Sequence, residues 1–158
     1  MIIIRRPTVD DVNSIFRLTN KMAEKGLMLS RSKYKIITML NGFLVAEDSE
    51  TKQVIGCGAF SLLWTDMGEV MALAVDDAYQ KKGVGKMLVN ALLDEGRRLN
   101  VPEVITLTYQ VEFFKKLGFA LADKDKFPRK MWRECLECPK LEQCDEIALH
   151  IFLNNEKS

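Results

Sequence analysis

Apolar and polar positions change period along this chain, and each change marks an element. Ile2 to Arg5 is a short β-branched run that predicts a strand, stopped by Pro7 and Thr8. Thr8 and Asp11 make a capping-box-like start. The helix that follows carries Val12, Ile15, Phe16, Thr19, Met22 and Ala23 on one face and closes at Gly26. The connector Leu27-Met28-Leu29-Ser30-Arg31-Ser32 is unusually apolar for a linker. Ser32 is placed to cap a second helix bearing Ile36, Ile37 and Leu40, with Asn41-Gly42 as its C-cap. Phe43 to Ala46 and Val54 to Leu63 read as strands either side of the polar turn Asp48 to Lys52, which is a hairpin pattern. Gly56-Cys57-Gly58 inside the longer strand predicts a bulge or a close backbone approach.

The stretch from Gly68 to Leu99 organises the rest. Glu69 to Val75 is almost wholly apolar after its first residue, as a strand buried on both faces would be. Asp76 and Asp77 end it, and Gln80-Lys81-Lys82-Gly83-Val84-Gly85 follows. Helical spacing then runs through Val84, Met87, Leu88, Ala91, Leu92 and Leu99. Two glycines at a helix start let backbone N–H groups approach a ligand closely, and Lys81, Lys82 and Lys86 surround them. Such a nest suits an anion of the pyrophosphate kind. The dinucleotide fingerprint G-x-G-x-x-G and the P-loop G-x-x-x-x-G-K-[ST] are both missing after this strand.

Beyond it, Val104 to Thr108 predicts another buried strand, and Glu112 to Leu117 a short helix with Gly118 as C-cap. Phe119 to Ala122 begins a further strand. Asp123 to Arg129 is a charged loop, Met131 to Asp145 bears cysteines, and Glu146 to Leu153 alternates as a last strand. The order βαα-ββ-β-α-β-α-ββ predicts a mixed α/β sheet flanked by helices.

At 158 residues the chain is expected to form one domain over residues 1–158. A net charge of +1 gives no electrostatic case for nucleic acid or an anionic membrane. The opening Met-Ile-Ile-Ile-Arg-Arg is too short for a signal peptide, and no apolar run spans a bilayer, so a cytoplasmic protein is expected. In a reducing compartment the four cysteines are thiols or ligands before they are disulfides. Cys57 has nothing basic beside it in the sequence and reads as a small core residue. Cys135, Cys138 and Cys144 with His150 have spacing open to a zinc site, against the plainer reading that the cysteines pack the tail and the histidine sits in a strand.

Q-x-x-G-x-G between a strand reading Leu73-Ala74-Val75 and a helix resembles the acetyl-CoA motif of the GNAT N-acetyltransferases. Phe113-Phe114-Lys115-Lys116-Leu117-Gly118-Phe119 resembles that family's F-Y-x-x-x-G-F helix, with Phe114 where a tyrosine usually stands. Core packing is the plain reading of both phenylalanines. The element order is also the GNAT order, which implies a mostly antiparallel sheet. The connector GLMLSRS, the stretch IGCGAFSLLWTDMGE, LTYQVEFFKKLGF and the tail CLECPKLEQCDEIAL together look like a narrower group, the short single-domain N-acetylglutamate synthases.

The resemblance implies acetyl-CoA as cosubstrate, with no metal firmly expected. Backbone groups of Leu73, Ala74 and Val75 would hold pantetheine. Gln80, Lys81, Lys82, Gly83, Val84, Gly85 and Lys86 would hold the phosphates. Glu69, the one ionisable side chain between Gly68 and Val75, matches the family's strand-start general base, with Tyr109 or water left to protonate the thiolate. The acceptor it implies, L-glutamate, carries two carboxylates and needs fixed cations. Arg31 is the leading carboxylate binder, with Lys33 and Arg129 behind it. The product would be N-acetyl-L-glutamate, at the first step of arginine biosynthesis, and a homodimer is compatible with this reading. The alternatives are a GNAT enzyme for another small amine or a protein lysine, and a non-catalytic acetyl-CoA-binding regulatory module.

Overall fold

The computed structural model describes residues 1–123 and 147–153. Its strands are β1 (Ile2–Arg5), β2 (Phe43–Asp48), β3 (Val54–Trp64), β4 (Met67–Val75), β5 (Glu103–Thr108), β6 (Ala120–Leu121) and β7 (Ile147–Phe152). The helices are α1 (Val12–Glu24), α2 (Lys33–Thr38), α3 (Val84–Arg98) and α4 (Val111–Lys116). The order along the chain is the one the sequence predicts. The strands pair in the order β1-β2-β3-β4-β5-β7-β6, in a mixed, mostly antiparallel sheet. The chain divides into two compact units, one of Met1–Ser61 with Val70–Glu95 and one of Leu62–Glu69 with Gly96–Ser158.

In the first unit β1 pairs with β2 antiparallel from Ile2↔Asp48 to Arg5↔Val45. The β2–β3 register shifts between Ala46↔Gly56 and Glu47↔Val54, so Ile55 is the extra residue of a bulge. A Cβ built on Gly58 would lie 2.9 Å from Leu92 Cδ1, and one on Gly56 would lie 3.1 Å from Leu88 Cδ1. The two glycines therefore let α3 settle closely on β3, and the expected bulge and the expected close approach are both present. Val12, Ile15, Leu18 and Ile36 from α1 and α2 pack in one cluster with Phe43, Val45, Cys57, Ala72 and Ala74. Thr8 caps the helical entry through a capping box with Asp11, first through a 3₁₀ turn, Val9–Asp11, and then α1. Gly26, at φ 73°, follows the end of α1, where Leu27 N–H returns to Met22 O at 3.1 Å.

Several positions differ from the reading of periodicity. α2 ends at Thr38, and Leu40 falls in a separate 3₁₀ turn, Leu40–Gly42. Ile37 is 51% exposed, because a helix of six residues presents only a narrow stripe, here filled by Ile36. Gly42 is needed for space: a Cβ there would meet Phe60 O at 2.5 Å. On α3, Val89 and Leu93 are buried while Met87 and Leu99 are exposed, which rotates the buried stripe away from the one first traced. β4 begins at Met67 and is not buried on both faces: Val70, Ala72 and Ala74 are buried, whereas Glu69, Met71, Leu73 and Val75 are half-buried. The alternation is that of a strand with one face covered and the other partly open.

In the second unit β5 pairs antiparallel with β7 from Glu103↔Phe152 to Thr108↔Ile147. The first residues of β4 run parallel to β5, Met67↔Glu103 to Glu69↔Ile105. Leu63, Met67 and Ile105 form a small core there. β6 is shorter than expected, pairing Ala120 and Leu121 with His150 and Leu149. No helix among the described residues is long and apolar enough to cross a membrane.

Candidate active site

The end of β4 is shaped by its backbone. Ala72 has φ 56°, in the left-handed region that residues with a side chain seldom enter. Alanine carries the Cβ penalty of that region without the local side-chain hydrogen bond by which Asn or Asp offsets it. Cys57 Sγ lies 3.5 Å from Ala72 O as a weak donor, and Asp76 N–H donates to Ile55 O of β3 at 2.8 Å. Leu73, Ala74 and Val75 thus lie between a strained residue and a pinned one, with Leu73 and Val75 half-buried.

The turn after β4 is closed by its own side chains. Asp76 Oδ1 accepts Ala78 N–H at 3.0 Å at the start of the 3₁₀ turn Asp77–Tyr79. The Gln80 amide donates to Val75 O and Asp77 Oδ1, both at 3.2 Å. Gln80 therefore braces the turn through its side chain. Lys81 and Gly83 are left-handed, at φ 63° and 82°, and Met87 N–H donates to Gly83 O at 3.0 Å, which starts α3. Alternation of backbone hand turns successive N–H groups to one side, and the first N–H groups of a helix have no intrahelical partner. Lys81, Lys82 and Lys86 are exposed around it. The arrangement offers backbone donors and three cations to an anion.

The connector before α2 holds a buried cation. Arg31 is 7% exposed, and its Nη1 donates to Leu29 O at 3.3 Å. Lys33 behaves differently: it is exposed, with Nζ 5.4 Å from the Phe16 ring centroid. Burial pushes the Cys57 thiol up to about 12, and the positive charge of Arg31 acts against that rise. Cys57 is the small core residue the sequence predicts, although a basic group is among its spatial neighbours. The neighbour comes from a different part of the chain, although burial still dominates and the thiol stays protonated. Elsewhere in this unit α1 and the end of β4 line a cleft of about 190 Å³ whose walls include Arg17, Lys21, Lys25, Val75 and Asp77. Lys21 Nζ is 3.0 Å and Lys25 Nζ 3.5 Å from the Asp77 carboxylate, so much of its charge is internally compensated.

The second unit carries Glu69 and Tyr109. Glu69 is half-buried at the last β4–β5 register pair, Glu69↔Ile105, and Tyr109, also half-buried, follows β5 directly. Phe114 is 3% exposed, with edge-on contacts to Phe113 at 5.0 Å and Phe119 at 5.2 Å, so it packs the core as expected. His150 Nδ1 lies 2.7 Å from Glu103 Oε2, and its ring meets Phe152 edge-on. Among the described residues no group of three side chains is set to hold a metal ion. Arg129, Cys135, Cys138 and Cys144 lie outside the described residues. Sequence reading passed over Ala72, since alanine gives no signal for a left-handed backbone, and over Asp77, whose lysine partners sit on a distant helix.

The mixed sheet and the two-glycine turn after β4, taken with the family match over residues 12–119, define the class, an acyltransferase that works with acetyl-CoA. A model of the acetyltransferase (GNAT) family matches residues 12–119, and the chain belongs to that family. It is 39% identical over 150 residues to an uncharacterized N-acetyltransferase of Chlorobaculum tepidum, covering 92% of this chain and 93% of that one. It is 36% identical over 118 residues to an amino-acid acetyltransferase of Mycobacterium tuberculosis, covering 74% of this chain and 67% of the relative. Among solved structures it is similar to Rv2747 from Mycobacterium tuberculosis in complex with CoA and NLQ, with a TM-score of 0.83 at 27% identity, covering 96% and 99% of the two chains. The N-acetylglutamate synthase of Neisseria gonorrhoeae, complexed with coenzyme A and N-acetyl-glutamate, shares the fold with a TM-score of 0.86 at 24% identity, over 97% of this chain and 35% of that one.

Proposed function

We propose that this protein transfers the acetyl group of acetyl-CoA to the amine of L-glutamate, giving N-acetyl-L-glutamate, the first step of arginine biosynthesis. The observation that carries the reading is the buried guanidinium of Arg31 in the connector between α1 and α2. A guanidinium held in a dry setting grips a carboxylate in two places, and an amino-acid acceptor always brings one. The name of the 36% identical relative, an amino-acid acetyltransferase, supports an amino-acid acceptor, and the CoA in the 27% identical solved structure supports acetyl-CoA as donor.

In this reading the pyrophosphate of acetyl-CoA rests on the turn from Gln80 to Lys86, and pantetheine runs along the backbone of Leu73 to Val75. The acceptor nitrogen attacks the thioester carbonyl carbon, and a backbone N–H near Leu73 faces the developing oxyanion. The carbon–sulfur bond then breaks and CoA leaves as thiolate. Before the attack Glu69 takes one proton from the acceptor ammonium, directly or through water, which frees the nitrogen lone pair; the second nitrogen proton passes to solvent as the carbon–sulfur bond breaks, and Tyr109 or water gives a proton to sulfur. Lys33 and Arg129 remain secondary candidates for the second carboxylate. The test is release of free CoA thiol by purified protein across a panel of amines. Saturable release with L-glutamate, accompanied by N-acetyl-L-glutamate, is the expected result. Release with another amine in preference to glutamate would reassign the acceptor.

A further inference from the structure

Tyr79 stands just ahead of the turn assigned to the phosphates, and its surroundings are unusually constrained. Its hydroxyl donates to Asp48 Oδ2 at 2.6 Å, across 31 positions of sequence. Asp48 is itself fixed: Oδ1 accepts Glu50 N–H at 3.0 Å, and its backbone N–H and C=O bond to Gln53 O at 2.9 Å and Lys52 N–H at 2.8 Å. The carboxylate therefore cannot swing to follow the tyrosine. On the other side, Lys82 Nζ lies 5.6 Å from the centroid of the Tyr79 ring. Tyr79 N–H closes the 3₁₀ turn by donating to Asp76 O at 2.8 Å. One side chain thus ties the turn to the β2–β3 hairpin and carries one of the three lysines beside Gly83.

We propose that Tyr79 is a positioning residue for acetyl-CoA: its bond to Asp48 holds the turn, and Lys82 on its ring, in the shape that receives the pyrophosphate. Binding to backbone donors is strong only when the donors are already aimed, because any ordering at the moment of binding is subtracted from affinity. Lys81 and Gly83 are in left-handed conformations that a free turn leaves readily. Anchoring the preceding residue to a rigid carboxylate removes that freedom before the ligand arrives. This inference rests on the placement of the pyrophosphate on the turn.

The test measures the dissociation constant for CoA by calorimetry, with no acceptor present. Tyr79→Phe and Asp48→Ala should each weaken CoA roughly 3- to 10-fold, the scale of one lost hydrogen bond. The double variant should be no weaker than either single one. Asp48→Asn should stay close to wild type, since its oxygen keeps Glu50 N–H while its amide N–H meets the tyrosine oxygen. A packing role alone would lower the unfolding midpoint and leave CoA affinity, its non-additivity and the asparagine rescue unmoved. Unchanged affinity in either single variant, or effects that multiply in the double variant, would overturn the proposal. Should Tyr79→Phe fail to fold, the Asp48→Ala and Asp48→Asn pair decides: equal affinities for the two reject it. Gly83→Val separates the two levels, because if it too leaves CoA affinity unchanged, the placement of the pyrophosphate fails first.

Discussion

The turn after β4 and the connector before α2 both belong to the first compact unit, and they offer a ligand opposite kinds of group. The turn offers main-chain N–H donors, set by left-handed residues at Lys81 and Gly83, with lysines only on its rim. The connector offers one side-chain charge, Arg31, set by burial. A surface made of backbone tolerates side-chain exchange and is sensitive to what constrains φ. A surface made of one guanidinium is the reverse. In the proposed function the first device serves acetyl-CoA, the substrate common to the family, and the second serves the acceptor.

Changes at Glu69, at Gly83 and at Asp11 set a scale for that contrast, from the largest expected effect downward. Glu69→Gln removes a side-chain proton acceptor and should lower kcat by roughly 10²–10⁴-fold at neutral pH, the usual scale of general-base catalysis. The loss should shrink at high pH, where the acceptor amine is already neutral; steady-state rates across pH read this, and a constant loss would assign Glu69 to positioning. Gly83→Val attacks the backbone device without a clash, since a Cβ there meets nothing within 4 Å. The strain of a β-branched residue at φ 82° is on the order of 1–3 kcal/mol, so the KM for acetyl-CoA should rise about 5- to 100-fold while that for the acceptor stays put. Gly83→Ala should lie between the two.

The smallest effect calibrates a guanidinium pair outside both regions. Arg5 holds Asp11 bidentately, Nη1 to Oδ2 at 2.8 Å and Nη2 to Oδ1 at 3.0 Å, with Arg5 one-third exposed. The guanidinium holds the Asp11 carboxyl below its ordinary value. A depressed native value stabilises the fold above the unfolded carboxylate pKa of about 3.9, and that stability is lost as pH falls through the native value. Asp11→Asn should therefore cost about 1 kcal/mol at pH 7 in denaturant melts, and the gap to wild type should close in acid. A gap that persisted at pH 2 would mean that the aspartate acts chiefly as a helix cap for Thr8 N–H.

Much of the fold was legible because punctuation and period agree. Thr8, Gly26 and Ser32 bound α1 and α2, and the apolar run ending at Asp76 marks β4. Exposure was less legible, since Ile37 and Met87 satisfy helical spacing yet face out, and only tertiary packing decides which side of a stripe is covered. Within the site, the glycine turn announces itself through residue type. The left-handed backbone at Ala72 does not, nor does the Asp48–Tyr79 bond, which joins residues whose local sequence contexts say nothing of each other. Arg31 was identifiable as a candidate through its place in the connector between the first two helices, where the family resemblance implies the acceptor site; its burial beside Cys57 required the fold.

The most direct measurement is a pair of constants in Arg31→Ala, the KM for L-glutamate and the dissociation constant for CoA. Removing one partner of a desolvated ion pair costs about 3–5 kcal/mol, so the KM for glutamate should rise on the order of 10²- to 10³-fold. CoA affinity should be unchanged, and Arg31→Lys should remain poor because a point charge does not reproduce the guanidinium fork. A wild-type KM for glutamate in Arg31→Ala, or a CoA affinity that falls in step with it, would contradict the assignment of acceptor recognition to this buried arginine.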